Sequence, residues 1–200
     1  MDSFLTIKAE GTGIHKEKGS KFLAFAFPVQ SDEDIKSNLE KLKREYDDAR
    51  HCCYAYIFKA DQSQFRANDD GEPNHSAGDP ILGQIRSINL TNTLVAAVRY
   101  FGGTKLGVSG LINAYKTAAS HALDKIEILR IIIKQPIELE FEYGATNEVM
   151  RLVNDFTLEI TKQHFMDSCR ISALIPPGDL DKFIPRGSLI KGFKITHREV

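Results

Sequence analysis

The chain lacks long apolar runs, a surplus of either charge and a recognisable leader segment. None of the apolar stretches in its 200 residues approaches the length of a membrane span, and the first residues, MDSF, do not form a signal peptide. We therefore expect a cytoplasmic protein that does not enter a membrane. The formal net charge is −1, and neither residues 1–130 nor residues 131–200 are basic overall. Bulk charge thus argues against a nucleic-acid-binding domain and leaves only a local basic patch open.

Cysteine is also scarce, with three in the chain, two of them adjacent at Cys52 and Cys53. An odd number and adjacent positions favour reduced thiols over a disulfide. The pattern of residues 52–58 predicts a strand, which would place these two side chains on opposite faces. A Cys/His nucleophile that uses His51 or His75 is one interpretation. We favour buried structural thiols, because a strand offers no helix amino terminus to lower a thiol pKa.

The composition that remains is ordinary for a folded protein, with 42% hydrophobic and 26% charged residues. Residues 94–101 are almost continuously apolar, as in a strand covered on both faces. The order strand, loop, helix, strand, glycine turn, helix indicates a layered α/β or α+β arrangement. Residues 59–78 show no periodicity and are predicted to form one long loop.

The pattern changes after Ile126. Ile137, Leu139 and Phe141 alternate with glutamates, and the following elements have the order βαββαβ, which is typical of a ferredoxin-like sandwich. The sequence therefore predicts two domains, residues 1–130 and 134–200, joined by a hinge at residues 127–136.

An acidic segment within the predicted loop is the first candidate site. It reads NDDGEP at residues 68–73 and SAGDP at residues 76–80, where Asp79 is suited to cap a helix and Pro80 to begin it. Its carboxylates could bind a divalent metal or act as acid/base groups, although their spacing excludes an EF-hand. We favour an ion-paired or solvated loop and expect no metal.

A glycine-rich turn is the second candidate. The strand that ends at residue 101 is followed by Gly102 and Gly103, and Gly107 stands at a predicted helix start. Backbone N–H groups and the helix dipole there could hold a phosphate or carboxylate. The alternative is that the glycines only permit a tight turn. The spacing of Gly102 and Gly107 matches a P-loop, but Val108 replaces its lysine.

These two segments should lie together if strands 52–58 and 94–101 are parallel, because their following loops then share one sheet edge. We expect Arg99 or Lys105 to lie near the acidic residues. The residues predicted to contact a partner or an anion are Asp69, Asp70, Glu72, His75, Ser76, Arg99, Tyr100, Gly102, Gly103, Lys105 and Gly107. A basic cluster with stacking aromatics is a further hypothesis, formed by Lys16, Lys18, Lys21, Arg50, Arg99, Tyr54, Tyr56, Tyr100 and Phe101.

Three segments together resemble the signature of the IMPACT family. They are NDDGEP at residues 68–73, AGDPIL at residues 77–82 and VRYFGGTKLG at residues 98–107. The resemblance extends over residues 1–127, and the tail resembles the smaller second domain of the bacterial members. Two positions depart from the family pattern, namely Ser109, where glycine is common, and Asn113, where arginine is common.

The resemblance implies a first domain like the second domain of a small-subunit ribosomal protein, GHMP kinases and elongation factor G domain IV. It implies a second domain like elongation factor G domain V. Eukaryotic members of the family are translational regulators in the general amino-acid control pathway, and the family supplies no catalytic residues. The GHMP-type phosphate loop GLGSSA is absent.

We therefore expect a non-enzymatic regulatory or binding protein associated with translation, with RNA or a ribosome-associated protein as its partner and no cofactor. The alternative hypothesis is an enzyme that acts on a phosphorylated small molecule through residues 102–110. The sequence leaves the oligomeric state open.

Overall fold

The structure is a computed structural model that describes residues 3–166 and 168–197. The chain divides into two compact units, with the boundary between Ile131 and Ile132, inside the predicted hinge. Both units combine helices with antiparallel strand pairs, so the architecture is a mixed α+β fold. Across the described residues, none of the helices has both the length and the apolar character needed to cross a bilayer.

The first unit begins and ends with the strands of a two-stranded sheet. Its elements in chain order are β1 (Ser3–Ile7), β2 (Gly11–Glu17), β3 (Ser20–Pro28), α1 (Asp32–Glu45), β4 (His51–Phe58), β5 (Gln64–Asn68), α2 (Gly78–Ser87), β6 (Thr93–Tyr100), α3 (Gly107–Leu123) and β7 (Ile128–Ile132). The main sheet has the strand order β2-β3-β6-β4-β5, and all neighbouring strands are antiparallel.

The central strand β6 is covered on both faces, as its apolar run predicts. Val95 and Ala97 point into a core closed by α2 and α3, whereas Leu94, Ala96 and Val98 point into a core closed by α1. The sheet is therefore the middle of three layers. The predicted layering is confirmed. Strands β4 and β6 are antiparallel, so the parallel pairing that was the condition for the two candidate segments to meet is not the one observed.

Strand β2 contains two glycines, Gly11 and Gly13. A Cβ atom on Gly13 would lie 2.4 Å from the backbone nitrogen of Ala122, and one on Gly11 would lie 2.3 Å from the Ala122 carbonyl oxygen. These glycines therefore allow α3 to approach the backbone of the strand closely.

Strand β5 lies inside the segment predicted to be one long loop. It is an exposed edge strand that contains the polar residues Gln64 and Arg66, so its sequence lacks the alternation of apolar and polar residues that would predict a strand. Its Phe65 is 55% exposed and lies 4.6 Å from the Arg86 guanidinium carbon, a cation–π contact at the surface. Because β5 reverses the chain direction, it decides where the acidic segment lies.

The second unit has the predicted order of elements. These are β8 (Gln135–Glu142), α4 (Thr146–Asp155), β9 (Glu159–Phe165), β10 (Ser168–Ile175), α5 (Pro177–Gly187) and β11 (Lys194–His197), in a sheet of order β11-β8-β10-β9 with antiparallel neighbours. The alternation in β8 buries Ile137, Leu139 and Phe141. On its other face Glu140 accepts a hydrogen bond from Arg170 Nε at 3.0 Å.

We predict that the first unit folds on its own, because it has its own buried cores on both faces of its main sheet. A fragment of residues 1–131 should be soluble and unfold in urea with one cooperative transition and native-like helical circular dichroism. Limited proteolysis of the whole chain should cut first within residues 127–136. An unfolded fragment, alongside a cooperatively folded full chain, would show that the two units are one domain.

Candidate functional site

The acidic segment and the glycine turn meet at one end of the main sheet. Strand β5 runs antiparallel to β4, so the segment that follows it returns to the end where β4 begins. The register of β4 and β6 pairs His51 with Arg99 at that same end. The predicted proximity is confirmed. The parallel pairing from which it was inferred is wrong, since the unpredicted strand β5 supplies the reversal.

A buried ion pair joins the two segments. Arg99 Nη1 donates to Glu72 Oε1 at 2.6 Å, and the two side chains are 8% and 4% exposed. The Tyr115 hydroxyl of α3 donates to the same oxygen at 2.9 Å. The expected contact of a basic residue with the acidic segment is therefore confirmed, and the pair is buried rather than solvated. In a buried pair, removal of one partner leaves an uncompensated charge and is strongly destabilising.

The Arg99 guanidinium also has an unused donor. Its carbon lies 5.5 Å from the Phe22 ring centroid and 5.7 Å from that of Phe101, so aromatic faces flank the cation. Among the described residues, its buried Nε has no hydrogen-bond partner. An unpaired buried donor of this kind costs about 1–3 kcal/mol.

Asp69 organises the backbone of the acidic segment. Its carboxylate accepts hydrogen bonds from the N–H groups of Gly78, Ala77 and His75 at 2.8, 2.9 and 2.8 Å. Burial alone raises the pKa of Asp69, but these N–H groups together outweigh burial and lower the pKa below its ordinary value. Asp69 rather than Asp79 thus satisfies the amino terminus of α2, whose N-cap Ala77 has no side-chain acceptor.

Other polar groups of the segment also have hydrogen-bond or ion-pair partners. Asp70 accepts from Cys52 N at 2.7 Å, and its carbonyl accepts from His51 Nδ1 at 2.8 Å. Ser76 donates to the Pro73 carbonyl at 2.6 Å. At the surface His75 Nδ1 lies 2.6 Å from Asp79 Oδ2. Within residues 3–166 and 168–197, no three His, Cys, Asp or Glu side chains form a group able to hold a metal ion.

Two predicted site residues have other positions or roles. Tyr100 lies on the α1 face of the sheet and donates to Asp48 Oδ1 at 2.6 Å, a hydrogen bond that raises its pKa to about 12. Gly102 packs on the β2–β3 turn, where a Cβ atom would lie 1.9 Å from the Gly19 carbonyl carbon. Tyr54 and Tyr56 also lie on the α1 face. The predicted cluster of basic and stacking residues is therefore divided between the two faces of the sheet.

A cleft of about 500 Å³ opens between the acidic segment, the end of β6 and the start of α3. Its polar wall contains the ion pair Arg99–Glu72 together with Arg50, His51 and Lys105. Its apolar wall contains Pro73, Phe101, Leu106, Val108 and Leu111. Three cationic side chains thus line the cleft with a single carboxylate, which is already paired.

The first turn of α3 contributes its backbone to this cleft. The N-cap residue Leu106 has no side-chain acceptor, and the first turn has no acidic residue. Gly107 has φ +73, and a Cβ atom there would meet nothing within 4 Å. The open N–H groups and the helix dipole make this end of α3 suited to an anion. Neither Ser109 nor Asn113, the positions that depart from the family pattern, is among the lining residues.

Four cleft residues have no role in any of the sequence hypotheses, namely Pro73, Leu106, Val108 and Leu111. Arg50 and Phe101 are named only in the basic and stacking cluster, and His51 only as the histidine partner of a cysteine nucleophile. The antiparallel register of β4 with β6 places the first residues of β4 beside Arg99. Only that register could have assigned Arg50 and His51 to the cleft.

The two adjacent thiols are buried on opposite faces of the sheet, as predicted. Burial, with the charge of Asp70, raises the pKa of Cys52 to about 11. Burial likewise raises the pKa of Cys53, whose single S–H group lies within hydrogen-bonding distance of the Tyr115 hydroxyl at 3.3 Å and the Asp69 carbonyl at 2.9 Å. A raised pKa keeps both groups as thiols rather than reactive thiolates.

Fold and cleft define a two-unit α+β protein whose first unit carries a cationic cleft with apolar walls. The family model described as "Impact N-terminal domain" matches residues 18–123. The chain therefore belongs to the IMPACT family, as its motifs predict.

Relatives along most of the chain are bacterial. It is 25% identical to IMPACT family member YvyE of Bacillus subtilis, covering 92% of this chain and 84% of that protein. It is 28% identical to IMPACT family member YigZ of Escherichia coli, covering 94% and 97%. The Protein IMPACT homolog of Saccharomyces cerevisiae is 34% identical over 51% of this chain and 41% of its own length. A crystal structure of a hypothetical protein has a TM-score of 0.72 at 26% identity and covers 100% of this chain and 98% of that one.

The buried ion pair predicts a specific stability pattern. Glu72→Gln should lower the free energy of unfolding by about 3 kcal/mol, because it leaves the Arg99 charge without its carboxylate. The double variant Glu72→Gln/Arg99→Met should be more stable than Glu72→Gln alone. Urea unfolding measures both effects. The control Glu127→Gln removes an exposed partner of Lys8, 62% exposed, and should change stability by no more than about 1 kcal/mol. A double variant as unstable as the single one would contradict this account.

The lowered pKa of Asp69 predicts a pH dependence. Its folded pKa lies below the unfolded value of about 3.9. The carboxylate therefore contributes stability that is fully present above the unfolded pKa and is lost as the pH falls through the folded pKa. Asp69→Asn should destabilise the protein at pH 7, and the gap from wild type should narrow as the pH falls below 4. Urea unfolding at a series of pH values tests this, and a gap that does not change with pH would contradict it.

Proposed function

We propose that this protein is a non-enzymatic binding protein associated with translation and that its partner on the ribosome is RNA. The cleft at the start of α3 carries the proposal, since it combines Arg50, Lys105 and open helix N–H groups with an exposed aromatic ring, Phe101. Cationic side chains favour the phosphate backbone, and an exposed ring offers a stacking surface for a base.

Membership of the IMPACT family supports the connection with translation, because the family resemblance implies translational regulation for its eukaryotic members. The βαββαβ unit and the layered first unit are compatible with the implied likeness to elongation factor G domains V and IV. Likeness of fold is a weak argument for function by itself. The cleft is therefore the stronger support.

The rival hypothesis, an enzyme that acts on a phosphorylated small molecule through residues 102–110, has less support. Both thiols near the cleft have raised pKa values, so neither is an activated nucleophile. Gly102 is explained by close packing on Gly19. His51 is the remaining candidate for proton transfer, with its Nδ1 bonded to the Asp70 carbonyl.

Charge reversal at Lys105 tests the proposal. Lys105→Glu should leave the melting temperature within about 2 °C of wild type, because the side chain is exposed and surface substitutions have small effects. It should reduce co-sedimentation with ribosomes from native lysate severalfold, because a negative charge repels phosphate. The matched control is Lys116→Glu, an exposed lysine of α3 that does not line the cleft.

Ribonuclease treatment then distinguishes the partners. If ribonuclease abolishes co-sedimentation of the wild-type protein, the partner is RNA. If the wild-type protein still co-sediments with ribosomal proteins after ribonuclease, the partner is a ribosome-associated protein. Equal co-sedimentation of Lys105→Glu, Lys116→Glu and wild type would contradict a role for the cleft.

A further inference from the structure

Several hydrogen-bond donors belong to residues that line one cleft. Arg99 lines it with a side chain that is 8% exposed and whose Nε has no partner among the described residues. The first N–H groups of α3 lack a side-chain cap. The exposed side chains of Arg50 and Lys105 line the same space. Arg50 lies next to the start of β4 and not on α3, so its positive charge is an observation independent of the helix terminus, and both favour a bound anion.

The shape of the donor set favours phosphate over a smaller monoanion. Successive N–H groups at a helix start converge on one oxyanion, and the guanidinium and ammonium groups approach from the strand and turn. Glu72 does not compete for these donors as a free charge, because it already accepts from Arg99 Nη1 and the Tyr115 hydroxyl. A group with several acceptor oxygens and more than one negative charge suits these donors.

The rest of the cleft suits an aromatic group. Phe101 is 57% exposed and Val108 is 52% exposed, and both line the cleft. The Arg99 guanidinium lies near the Phe101 ring, at 5.7 Å from its centroid, so the ring has a cationic neighbour as well as an open surface. A cleft of about 500 Å³ is within the usual size of small-molecule sites.

We propose that the cleft binds one phosphorylated nucleotide, with the phosphate at the start of α3 and the base against Phe101. The nucleotide is either free in solution or the terminal unit of an RNA chain. This inference rests on the proposed function in that it assigns ligand binding to the same cleft, and it narrows the ligand from RNA in general to a terminal phosphate with its base.

Isothermal titration of the full chain tests the site with adenosine 5′-monophosphate, adenosine and inorganic phosphate as probes. The monophosphate should bind, and adenosine should bind at least about tenfold more weakly, because it lacks the charge-assisted hydrogen bonds. Lys105→Gln and Arg50→Gln should each weaken binding of the monophosphate by about tenfold. Lys116→Gln is the control and should bind as wild type does. Arg99 is not substituted, because its loss would leave the buried Glu72 carboxylate without its partner and destabilise the protein.

Short oligoribonucleotides with and without a 5′-phosphate separate the two sources. Tighter binding of the 5′-phosphorylated oligonucleotide than of adenosine 5′-monophosphate supports an RNA end, and the reverse order supports a free nucleotide. Equal binding of adenosine and its monophosphate, equal binding by Lys105→Gln and Lys116→Gln, or no binding of any phosphorylated probe would overturn the site. If these probes fail while ribosome co-sedimentation persists, only this inference is lost. If they bind while co-sedimentation is absent, only the proposed function is lost.

Discussion

Burial of the Arg99–Glu72 ion pair ties together parts of the chain that are far apart in sequence. Arg99 ends the central strand β6, Glu72 lies in the acidic segment after β5, and Tyr115 adds α3 through the same carboxylate oxygen. Cys53 extends the network to β4 through the Tyr115 hydroxyl. Two charges removed from water are tolerated only when they are well paired, so the network strongly disfavours arrangements that separate these elements.

That constraint explains how an irregular, polar segment packs against the end of a sheet. Asp70 and His75 have φ values of 42 and 63, which non-glycine residues seldom adopt. Asp69 offsets the strain by accepting hydrogen bonds from three backbone N–H groups. Asp70 accepts hydrogen bonds from the first two residues of β4, through its carbonyl and its side chain. The backbone polar groups that a sheet or helix would otherwise satisfy are thus satisfied by carboxylates.

The sequence predicts most of the fold wherever burial sets the pattern. Strand β6, helix α3 and the alternating strand β8 follow from apolar periodicity, because each packs against a defined core. Strand β5 could not be predicted in this way, since an edge strand that is exposed on most of its length shows no alternation. The close approach of α3 to Gly11 and Gly13 could not be predicted either, because the sequence does not show that a helix backbone lies against them.

The candidate site was predictable in part for the same reason. The contact between Arg99 and Glu72 follows from opposite charges on neighbouring segments, and it was reached through a wrong strand direction. Burial of that pair depends on Tyr115 and Phe22, whose ring centroids are 5.0 Å apart and which belong to elements remote in sequence. Arg50 and His51 reach the cleft only through the register of β4 with β6. Tertiary pairing, rather than local pattern, decides these positions.

The electrostatic character of the cleft differs from the composition of the segment beside it. The acidic segment carries Asp69, Asp70 and Glu72, yet backbone N–H groups occupy the two aspartates, and Arg99 with Tyr115 occupies the glutamate. These three carboxylates are therefore directed inward, where they stabilise the segment, whereas Asp79 pairs with His75 at the surface. The exposed side chains of Arg50 and Lys105 are left to define the field at the cleft, and the dipole of α3 adds to it. Counting charges along the sequence predicts an acidic surface here, whereas their hydrogen bonds produce a cationic one.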